Sequence, residues 1–379
     1  MKLLYLANMR LPTEKAHGLQ VMKMCEAFAR LGHEVTLAVP WRFGRVESDP
    51  YEYYDVERNF RIVRIFSLDL IPLGPIGFFI QVLTFALSSF FYSLFSGADL
   101  VYGRDEVALW GITFIKKTGW EVHTRKLNWF ARALLSRADT LVTISGGLKN
   151  LLEKAGATRE ILIAHDGADP SKYAVPFDRD AWRLSKDIPL EAKVIAYIGA
   201  IHTMGSGKGV EELIEIFPKI LEREPDAFLL LTGMPEKDRA AVLALCEKAG
   251  VPLDKVRVDT DLRQKEVIPY FRAADVHVMN FPFTEHYAYY MSPLKMFNYM
   301  ASGVPILTTD LPSVREVLSE KEAEFIPPGD SEALAEGLLR VLAGGEEIRA
   351  KARAAEALFL AHYTWEERAR TILEFAKGR

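Results

Sequence analysis

The stretch that decides the fold is Lys193–Gly233, "KVIAYIGAIHTMGSGKGVEELIEIFPKILEREPDAFLLLTG". An apolar run ends at Gly199, a glycine-rich loop follows, and a helical pattern with one apolar face leads into a second apolar run. A strand, a helix and another strand in this order are typical of a parallel sheet whose faces are covered by helices. The stretch therefore predicts an α/β fold, and the same alternation continues on both sides of it.

The alternation of strands and helices occurs in two runs. The first extends from "KLLYLAN" near Met1 to "EILIAHDGAD", and the second extends from "KVIAYIGA" to "EFIPP". The polar segment between them, "DPSKYAVPFDRDAWRLSKDIPLEA", contains three prolines and is interpreted as a linker. Two runs predict two doubly wound parallel sheets, and ligands are expected at the carboxyl ends of their strands.

Length and composition fit two globular domains. The chain has 379 residues, of which 49% are hydrophobic and 26% are charged, and its net charge is −4. This charge argues against binding of nucleic acid by the whole protein. The two cysteines, Cys25 and Cys246, indicate a reducing compartment. Because Met1 leads directly into a strand pattern, a cytoplasmic location is predicted.

One segment complicates that location, because no charged residue occurs from Leu70 to Ala98. It is long enough to span a bilayer, but its polar side favours a buried helix of an α/β domain. A third alternative is a helix that touches the membrane surface without crossing it. A basic stretch opposed only by Glu121 follows and supports contact with anionic lipid: Lys116, Lys117, Arg125, Lys126, Arg132 and Arg137.

A short helical pattern after Ser292 predicts an anion site. Ser292 is a suitable N-cap and Pro293 suits the first helical position, followed by Leu294. The free N–H groups of that helix start and the charge of Lys295 favour a diphosphate. Asn298 shares the face of Lys295 and lies roughly 8 Å from the helix start at about 1.5 Å per residue, which suits the ribose of a nucleotide whose diphosphate lies at that start. An ordinary core helix with a surface lysine is the alternative.

The glycine-rich loop is a second predicted phosphate site. Gly205, Gly207 and Gly209 would let the backbone approach a phosphate, and Lys208 would supply charge. It is not a Walker loop, because His202 stands at the first glycine position and Gly209 stands at the Ser/Thr position. A flexible surface turn is the alternative.

Two further turns in the first alternating run are candidate ligand sites. Gly18 opens the first helix from a loop that carries Lys15 and His17, and a ligand at the end of the first strand would lie against this loop. His123 ends the strand-like stretch "WEVHT", close to Glu121, and is expected to face a cleft. Metal signals are weak: Asp259-Thr260-Asp261 fits D-x-D by chance, and no spacing of Cys and His suggests zinc.

Taken together, the motifs resemble retaining glycosyltransferases of family 4, which have the GT-B fold. The resemblance covers nearly the whole chain and is carried by "HGLQVMKMCEAFARLGHEVTLAVP", "EVH", "LVTISGGLKNLL", "HDGAD", "YIGA…GKGVEELIE", "FRAADVHVMNF", "SPLKMFNYMASGVPILTTDLPSVREVL", "IPPGDSEALAEGL" and "YTWEERARTILEF". The number and order of these motifs make the match strong.

The resemblance implies two Rossmann-like domains that face a central cleft. Residues 1–175, joined by a C-terminal helix at 362–379, would form an acceptor-side domain, and residues 190–358 would hold the nucleotide sugar. Gly18 would approach the donor diphosphate, His123 would face the donor sugar, and Lys208 would bind the diphosphate. No metal or other cofactor is implied, because lysine and helix ends replace a cation electrostatically.

The chain departs from the family pattern at three positions. Ala200 stands where the family has an arginine, and the paired glutamates of its E-x7-E motif correspond to Tyr290 and Asn298. Asn298 retains hydrogen-bonding capacity for ribose. Glu285 or His286 is a candidate replacement for the glutamate at position 290.

The predicted function is sugar transfer from a nucleotide-diphosphate sugar to a glycan or lipid-linked acceptor, with retention and without metal, in cell-surface polysaccharide or glycolipid synthesis. The expected location is the cytoplasm or the inner face of the membrane, with contact to the membrane surface and none to nucleic acid. The alternatives are a nucleotide-sugar 2-epimerase of the same fold and a non-catalytic nucleotide-sugar-binding subunit.

Overall fold

The computed structural model describes residues 1–42, 48–203 and 206–378. The chain divides into two compact units, Met1–Asp166 with Trp365–Arg379 and Gly167–Thr364. The sequence-based borders were 1–175 with 362–379 for the first domain and 190–358 for the second.

Unit 1 is built on a parallel sheet, as the first alternating run predicts. Its described residues form seven strands in the order β3-β2-β1-β4-β5-β6-β7. The strands are β1 Lys2–Leu6, β2 Glu34–Pro40, β3 Arg61–Ile65, β4 Leu100–Gly103, β5 Thr118–Val122, β6 Thr140–Thr143 and β7 Ile161–Ile163. The central strands β4, β5 and β6 are buried throughout because helices cover both faces.

Helices connect these strands, and one more comes from the end of the chain. The connecting helices are α1 Ala16–Arg30, α2 Pro50–Tyr53, α3 Pro75–Phe95, α4 Glu106–Ile112, α5 Trp129–Arg137 and α6 Gly146–Lys154. The C-terminal helix, Trp365–Lys377, packs against α1 and therefore belongs to unit 1, as expected for a helix that returns to the first domain.

Unit 2 repeats the plan with a second parallel sheet. Its described residues form six strands in the order β12-β11-β8-β13-β14-β15, beside a short β9–β10 ribbon. The strands are β8 Lys193–Ile198, β9 His202–Thr203, β10 Ser206–Gly207, β11 Ala227–Met234, β12 Val256–Thr260, β13 Val276–Met279, β14 Ile306–Thr309 and β15 Glu324–Ile326.

The helices of unit 2 lie on both faces of its sheet. In chain order they are α7 Arg179–Ser185, α8 Val210–Arg223, α9 Glu236–Lys248, α10 Gln264–Ala273, α11 Glu285–Tyr289, α12 Leu294–Ala301, α13 Pro312–Arg315, α14 Ser331–Ala343 and α15 Glu346–His362; the C-terminal helix of unit 1 is α16. Separate apolar clusters on the two faces of the sheet form the core.

The segment interpreted as a linker is structured in part, so that interpretation is wrong for α7. Arg183 of α7 is buried and donates to the carbonyl oxygens of Ala273 and Ala192 and to the carboxylate of Asp275. Arg179 of the same helix also bonds to Ala273, Ala274 and Asp275. Neither arginine is distinguishable from a surface charge in a polar sequence, which is why composition suggested a linker.

The apolar segment forms α3, but the favoured prediction of a buried helix is wrong. Only 28% of its most apolar 18-residue stretch is buried. The buried residues recur every fourth position and are largely small or polar: Gly77, Gln81, Phe85, Ser89 and Ser93. Gln81 Nε2 donates to Asn8 Oδ1 at 2.8 Å and to Ser67 Oγ at 3.0 Å. Gln81 therefore ties this side of α3 to the fold, while the hydroxyls of Ser89 and Ser93 are buried there without a hydrogen-bond partner among the described residues.

Candidate functional site

In unit 2 the candidate site lies at the carboxyl end of β8, next to the helix start of α12. Gly199 follows the strand with φ +139°, and a Cβ there would lie 3.2 Å from both Cε and Nζ of Lys295. Glycine is therefore required both by the backbone conformation and by the close approach of the lysine. The turn after β8 and α12 thus meet at one point, and phosphate binding by these two elements stays a prediction.

Lys295 is the most unusual charged group of this site. Its Nζ is buried, has no hydrogen-bond acceptor among the described residues, and lies 3.5 Å from the ring centroid of Tyr197. Burial, and then the charge of Lys208, hold the pKa of Lys295 well below its usual range. A buried ammonium without a counterion costs free energy, so the arrangement favours an incoming anion.

Lys208 adds a second positive group. Its pKa is also lowered by burial, and its backbone N–H donates to Ile201 O. The next residue, Gly209, has φ +80°, and a Cβ there would lie 1.7 Å from the carbonyl oxygen of Asn280. The glycine thus lets the loop lie directly against the end of β13. Gly205 lies outside the described residues.

The helix start differs from the sequence-based expectation by one residue. Pro293 has the extended conformation of an N-cap, and α12 begins at Leu294, so the prediction of Ser292 as N-cap is wrong. The extended ψ of 121° at Pro293 accounts for this shift. The N–H of Met296 donates to Pro293 O at 2.9 Å, whereas the N–H groups of Leu294 and Lys295 have no intrahelical acceptor. Ser292 is buried beside them.

Asn298 is held in place by two neighbours. Its Nδ2 donates to Leu294 O at 2.8 Å, and its Oδ1 accepts from the hydroxyl of Tyr173 at 2.8 Å. Tyr173 comes from the segment interpreted as a linker, and sequence analysis missed it. An amide can make four hydrogen bonds, so Asn298 retains capacity for a ribose hydroxyl, which stays a prediction.

Glu285 and Tyr290 are brought together by the short helix α11. The hydroxyl of Tyr290 donates to the Glu285 carboxylate at 3.2 Å. Thr284 caps this helix by accepting from the N–H of Tyr287. A carboxylate is therefore present next to the position where the family pattern has one, although it comes from five residues earlier in the chain.

In unit 1, His123 follows β5 and contacts a buried carboxylate. Its Nε2 lies 2.5 Å from Oε1 of Glu121. Burial, and then the charge of Arg104, lower the pKa of His123 to about 3. The imidazole is therefore neutral at neutral pH, and its Nε2–H donates to Glu121 while Nδ1 is left as an acceptor.

Glu121 is the centre of a buried polar network that sequence analysis did not predict. Its two carboxylate oxygens accept from Gln20 Nε2, the Tyr102 hydroxyl and Arg368, in addition to His123. Burial alone would raise the pKa of Glu121, but the Arg368 guanidinium, together with His123, holds it well below its usual range. The carboxylate is therefore ionised and fixes the orientation of the imidazole.

Arg368 reaches this network from α16. Its side chain is only 2% exposed, and it also donates to the carbonyl oxygens of His165 and Ala164. A signal was available in the sequence, because Arg368 occurs at helical spacing between apolar residues that are buried on the same face: Trp365, Ala369, Ile372, Leu373 and Ala376. A lone arginine in such a stripe indicates a buried charge pair.

Gly18, predicted to approach a diphosphate, is buried and faces protein atoms. A Cβ there would lie 2.2 Å from the Tyr54 hydroxyl and 2.7 Å from Thr13 Cγ2. Tyr54 also bonds the backbone of Thr13 in both directions, at 2.7 Å each. The packing of Tyr54 thus accounts for the glycine, and its contact with a ligand stays a prediction.

Comparison with known sequences finds a similar family for part of unit 2. Residues 192–344 match the family described as "Glycosyl transferases group 1". A phosphatidyl-myo-inositol mannosyltransferase of Mycobacterium leprae is 27% identical over 159 residues, which are 42% of this chain and 40% of that protein. A mannosylfructose-phosphate synthase of Agrobacterium fabrum is 26% identical over 60% of this chain and 50% of its own length. The chain thus spans half or less of these relatives.

Solved structures resemble the chain over its full length. A glycosyltransferase of Rickettsia africae has a TM-score of 0.77 at 16% identity, covering 100% of this chain and 98% of its own. The Anabaena protein HepE, solved in complex with UDP-glucose, has a TM-score of 0.73 at 16% identity, covering 100% of both chains. The predicted fold class is confirmed by these likenesses. The chain therefore has the GT-B fold of solved glycosyltransferases, and its residues 192–344 are similar to the Glycosyl transferases group 1 family.

Proposed function

We propose that this protein transfers a sugar from a nucleoside-diphosphate sugar to a glycan or lipid-linked acceptor. The donor diphosphate would lie between the turn after β8 and the start of α12. The glycosyl transferases group 1 domain at 192–344 includes both elements, and HepE, of the same fold, was solved with UDP-glucose.

The observation that carries the proposal is the buried ammonium of Lys295. Its charge is disfavoured by burial and by Lys208, and no described residue supplies an anion to it. A diphosphate would supply the missing charge and hydrogen-bond acceptors, and it would bring both lysines into charge-assisted hydrogen bonds.

The same groups would assist the chemistry. When the bond between the anomeric carbon and the diphosphate breaks, negative charge grows on the leaving phosphate. Lys295, Lys208 and the N–H groups at Leu294 would stabilise that charge more strongly in the transition state than in the bound donor. We propose that these groups take the place of a metal ion and that the reaction retains the anomeric configuration.

In unit 1, His123 would position a sugar. Because Glu121 accepts from its Nε2–H, Nδ1 can accept a hydrogen bond from a hydroxyl of the donor sugar or of the acceptor. The low pKa of His123 keeps this nitrogen an acceptor at neutral pH. Glu285, bonded to Tyr290, would supply the carboxylate for the donor sugar in unit 2.

A lipid-linked acceptor is supported by the relatives, since several are named phosphatidyl-myo-inositol mannosyltransferases. Two buried cysteines without a disulfide, Cys25 and Cys246, fit a reducing compartment. We therefore place the reaction at the cytoplasmic side of a membrane.

A thermal-shift screen with UDP-, GDP-, ADP- and dTDP-sugars tests the donor site, because a ligand that binds the native state raises its stability. Lys208→Ala should weaken binding of the selected nucleoside diphosphate about tenfold or more and leave binding of the nucleoside unchanged. Equal loss for both ligands would show that Lys208 does not touch the phosphates, and no shift with any donor would contradict the proposal.

A non-catalytic nucleotide-sugar-binding subunit is the second candidate, motivated by Ala200, Tyr290 and Asn298 at three positions where the family has charged residues. Donor binding with transfer and hydrolysis at the background rate would favour it. An epimerase would interconvert UDP-N-acetylglucosamine without any acceptor, and the same assay detects that product.

A further inference from the structure

The outward side of α3 is apolar along the whole helix. The large exposed side chains of α3 are Ile76, Phe78, Phe79, Leu83, Leu87, Phe91, Leu94 and Phe95, and Phe95 is 82% exposed. Apart from Phe78 in the first turn, they occupy one side of a helix about 31 Å long, while the opposite side packs on the rest of unit 1. An apolar face of this length is larger than scattered surface hydrophobics explain.

Aromatic side chains extend this surface onto α4, which packs against α3, and onto α5, which packs against α4. Trp110 lies in edge contact with Phe114, Trp129 and Phe130, at centroid distances between 5.2 and 5.6 Å. Trp129 is 63% exposed and Phe114 is 57% exposed. Exposed tryptophan beside an apolar face is typical of groups that lie at the boundary between lipid and water.

The charged groups around this aromatic cluster are nearly all positive. Four exposed cations, Arg125, Lys126, Arg132 and Arg137, accompany α5, and Arg137 lies 4.3 Å from the Phe114 ring centroid. Of the acidic residues in the same stretch, Glu121 is buried and Glu106 accepts from Asn128. A basic rim next to an apolar face complements an anionic lipid surface.

Next to α3 an open groove offers further apolar surface. It has a volume of about 630 Å³ and is lined in part by Ile65, Phe66, Phe91, Tyr92 and Phe95. The groove continues the apolar side of α3 toward β3, so the whole surface is continuous from β3 to α5.

We propose that the outward faces of α3, α4 and α5 form a membrane-docking surface that lies on an anionic bilayer. The apolar side of α3 enters the boundary between headgroups and acyl chains, and the cations of α5 meet the anionic headgroups. This inference deepens the proposed function, because a docked enzyme meets a lipid-linked acceptor at the membrane surface.

The structure argues against α3 as a membrane span, although the helix is long and apolar enough to cross a bilayer. Its inner side is fixed to unit 1 by the bonds of Gln81 to Asn8 and Ser67, and Phe85 is fully buried there. Crossing a membrane would break these bonds and remove α3 from the core.

A second copy of the chain fits this face less well than lipid does. A two-fold interface places the same surface patch against itself. The arginines around α5 would then approach those of the other copy, and like charges across an interface cost free energy. A bilayer with anionic headgroups offers the opposite charge to the same rim.

Co-sedimentation of the full-length protein with vesicles tests the docking surface. We expect binding to vesicles of phosphatidylcholine with phosphatidylglycerol, and weaker binding to phosphatidylcholine alone. Leu87→Glu with Phe91→Glu should lower the binding constant at least tenfold, because two apolar side chains are replaced by charges. Their exposed fractions are 60% and 52%, so unfolding temperature should be unchanged.

Matched controls separate the docking face from general surface effects. Leu184→Glu with Leu360→Glu changes two leucines of unit 2 that are 59% and 54% exposed, and should leave binding unchanged. Arg132→Glu with Arg137→Glu should lower the preference for anionic vesicles about fivefold or more. Lys237→Glu with Lys248→Glu, both exposed on α9, should not change that preference.

Three results would overturn the docking surface. The first is that the wild-type protein sediments with neither kind of vesicle, and the second is that the Leu87→Glu/Phe91→Glu variant sediments as much as the wild type does. The third is that light scattering shows a wild-type dimer that the same variant dissociates. Donor binding measured without vesicles on the same samples keeps the proposals distinct. If the wild-type protein binds the donor but does not sediment with vesicles, only the docking surface is overturned. If it sediments with vesicles but does not bind the donor, only the proposed function is overturned.

Discussion

At the scale of single residues, Lys295 illustrates how a binding site can oppose stability. The buried Nζ lies over the Tyr197 ring at 3.5 Å and is without a hydrogen-bond acceptor among the described residues. Such a group costs free energy in the empty protein and becomes favourable when an anion binds. The function and the stability of this residue should therefore respond to substitution in opposite directions.

Lys295→Met should raise the unfolding temperature of the free protein and weaken nucleoside diphosphate binding by about tenfold to a hundredfold. Methionine fills similar apolar space without the desolvation cost of the charge. Calorimetry gives both quantities, and Lys237→Met, at an exposed position of α9, is the control. A variant that is less stable and binds equally well would show that Lys295 is a structural residue.

The lowered pKa of Lys295 predicts a proton linkage. A bound diphosphate raises that pKa, so binding takes up protons at pH values between the free and bound pKa, and affinity falls as pH rises through that interval. Titration calorimetry in two buffers of different ionisation enthalpy measures the uptake. Uptake that is unchanged in Lys295→Met would assign the protons to another group.

Arg368 supports His123 only through Glu121, and it is therefore a positioning residue. Arg368→Met should destabilise the protein by about 3–5 kcal/mol, because an ionised carboxylate remains buried without its cation. Adding Glu121→Gln should restore much of that stability, since the charge is then absent. Denaturant unfolding of the single and double variants measures the coupling, and additive effects would contradict the ion pair.

At the scale of elements, the turn that joins β10 to α8 depends on one close approach. Gly209 combines φ +80° with a Cβ position 1.7 Å from Asn280 O. Gly250, after α9, has φ +76° but no atom within 4 Å of its Cβ position. Substitution of Gly250 therefore introduces backbone strain alone, whereas substitution of Gly209 adds a steric clash to the same strain.

Gly209→Ala should therefore lower the free energy of unfolding clearly more than Gly250→Ala. The latter should lower it by about 1 kcal/mol, because alanine disfavours the left-handed backbone conformation. The additional cost should be at least about 2 kcal/mol, together with weaker nucleotide binding, since the loop must move away from β13. Chemical unfolding and a donor-binding assay measure both effects. Equal costs for the two variants would show that the loop adapts without strain.

Elements also show where prediction from sequence stops. The strands and most helices were predictable because parallel strands buried on both faces are continuous apolar runs, as in β4 to β6. The orientation of α3 was not, because its apolar side is the larger one and the bonds of Gln81 to Asn8 and Ser67, which tie its other side to the fold, come from distant segments. In α12 the helix start shifted by one residue at Pro293.

At the scale of the whole molecule, the candidate groups divide between the two compact units. Lys208, Lys295 and Asn298 belong to unit 2, and His123 with its Glu121 network belongs to unit 1. Asn298 and His123, one from each set, are held by hydrogen bonds to residues of their own unit. Binding of a nucleoside diphosphate should therefore act first on unit 2.

Hydrogen exchange with and without the selected nucleoside diphosphate should show protection in unit 2 around Gly199, Lys208 and Leu294. Protection should be smaller around His123, because a nucleoside diphosphate lacks the transferred sugar that His123 is proposed to contact. The Lys208→Ala variant should lose the protection at equal ligand concentration. Protection confined to unit 1 would contradict the assignment of the diphosphate to unit 2.

The sequence by itself determined the two parallel sheets and the glycine and lysine positions around β8 and α12, because period, turn chemistry and charge are local properties. Only the tertiary structure decided that Lys295 is buried beside Tyr197, that Arg368 of α16 holds Glu121 in unit 1, and that α3 turns its apolar side outward. These features depend on contacts between residues far apart in the chain, and no local pattern specifies which partner a buried charge or an apolar face meets.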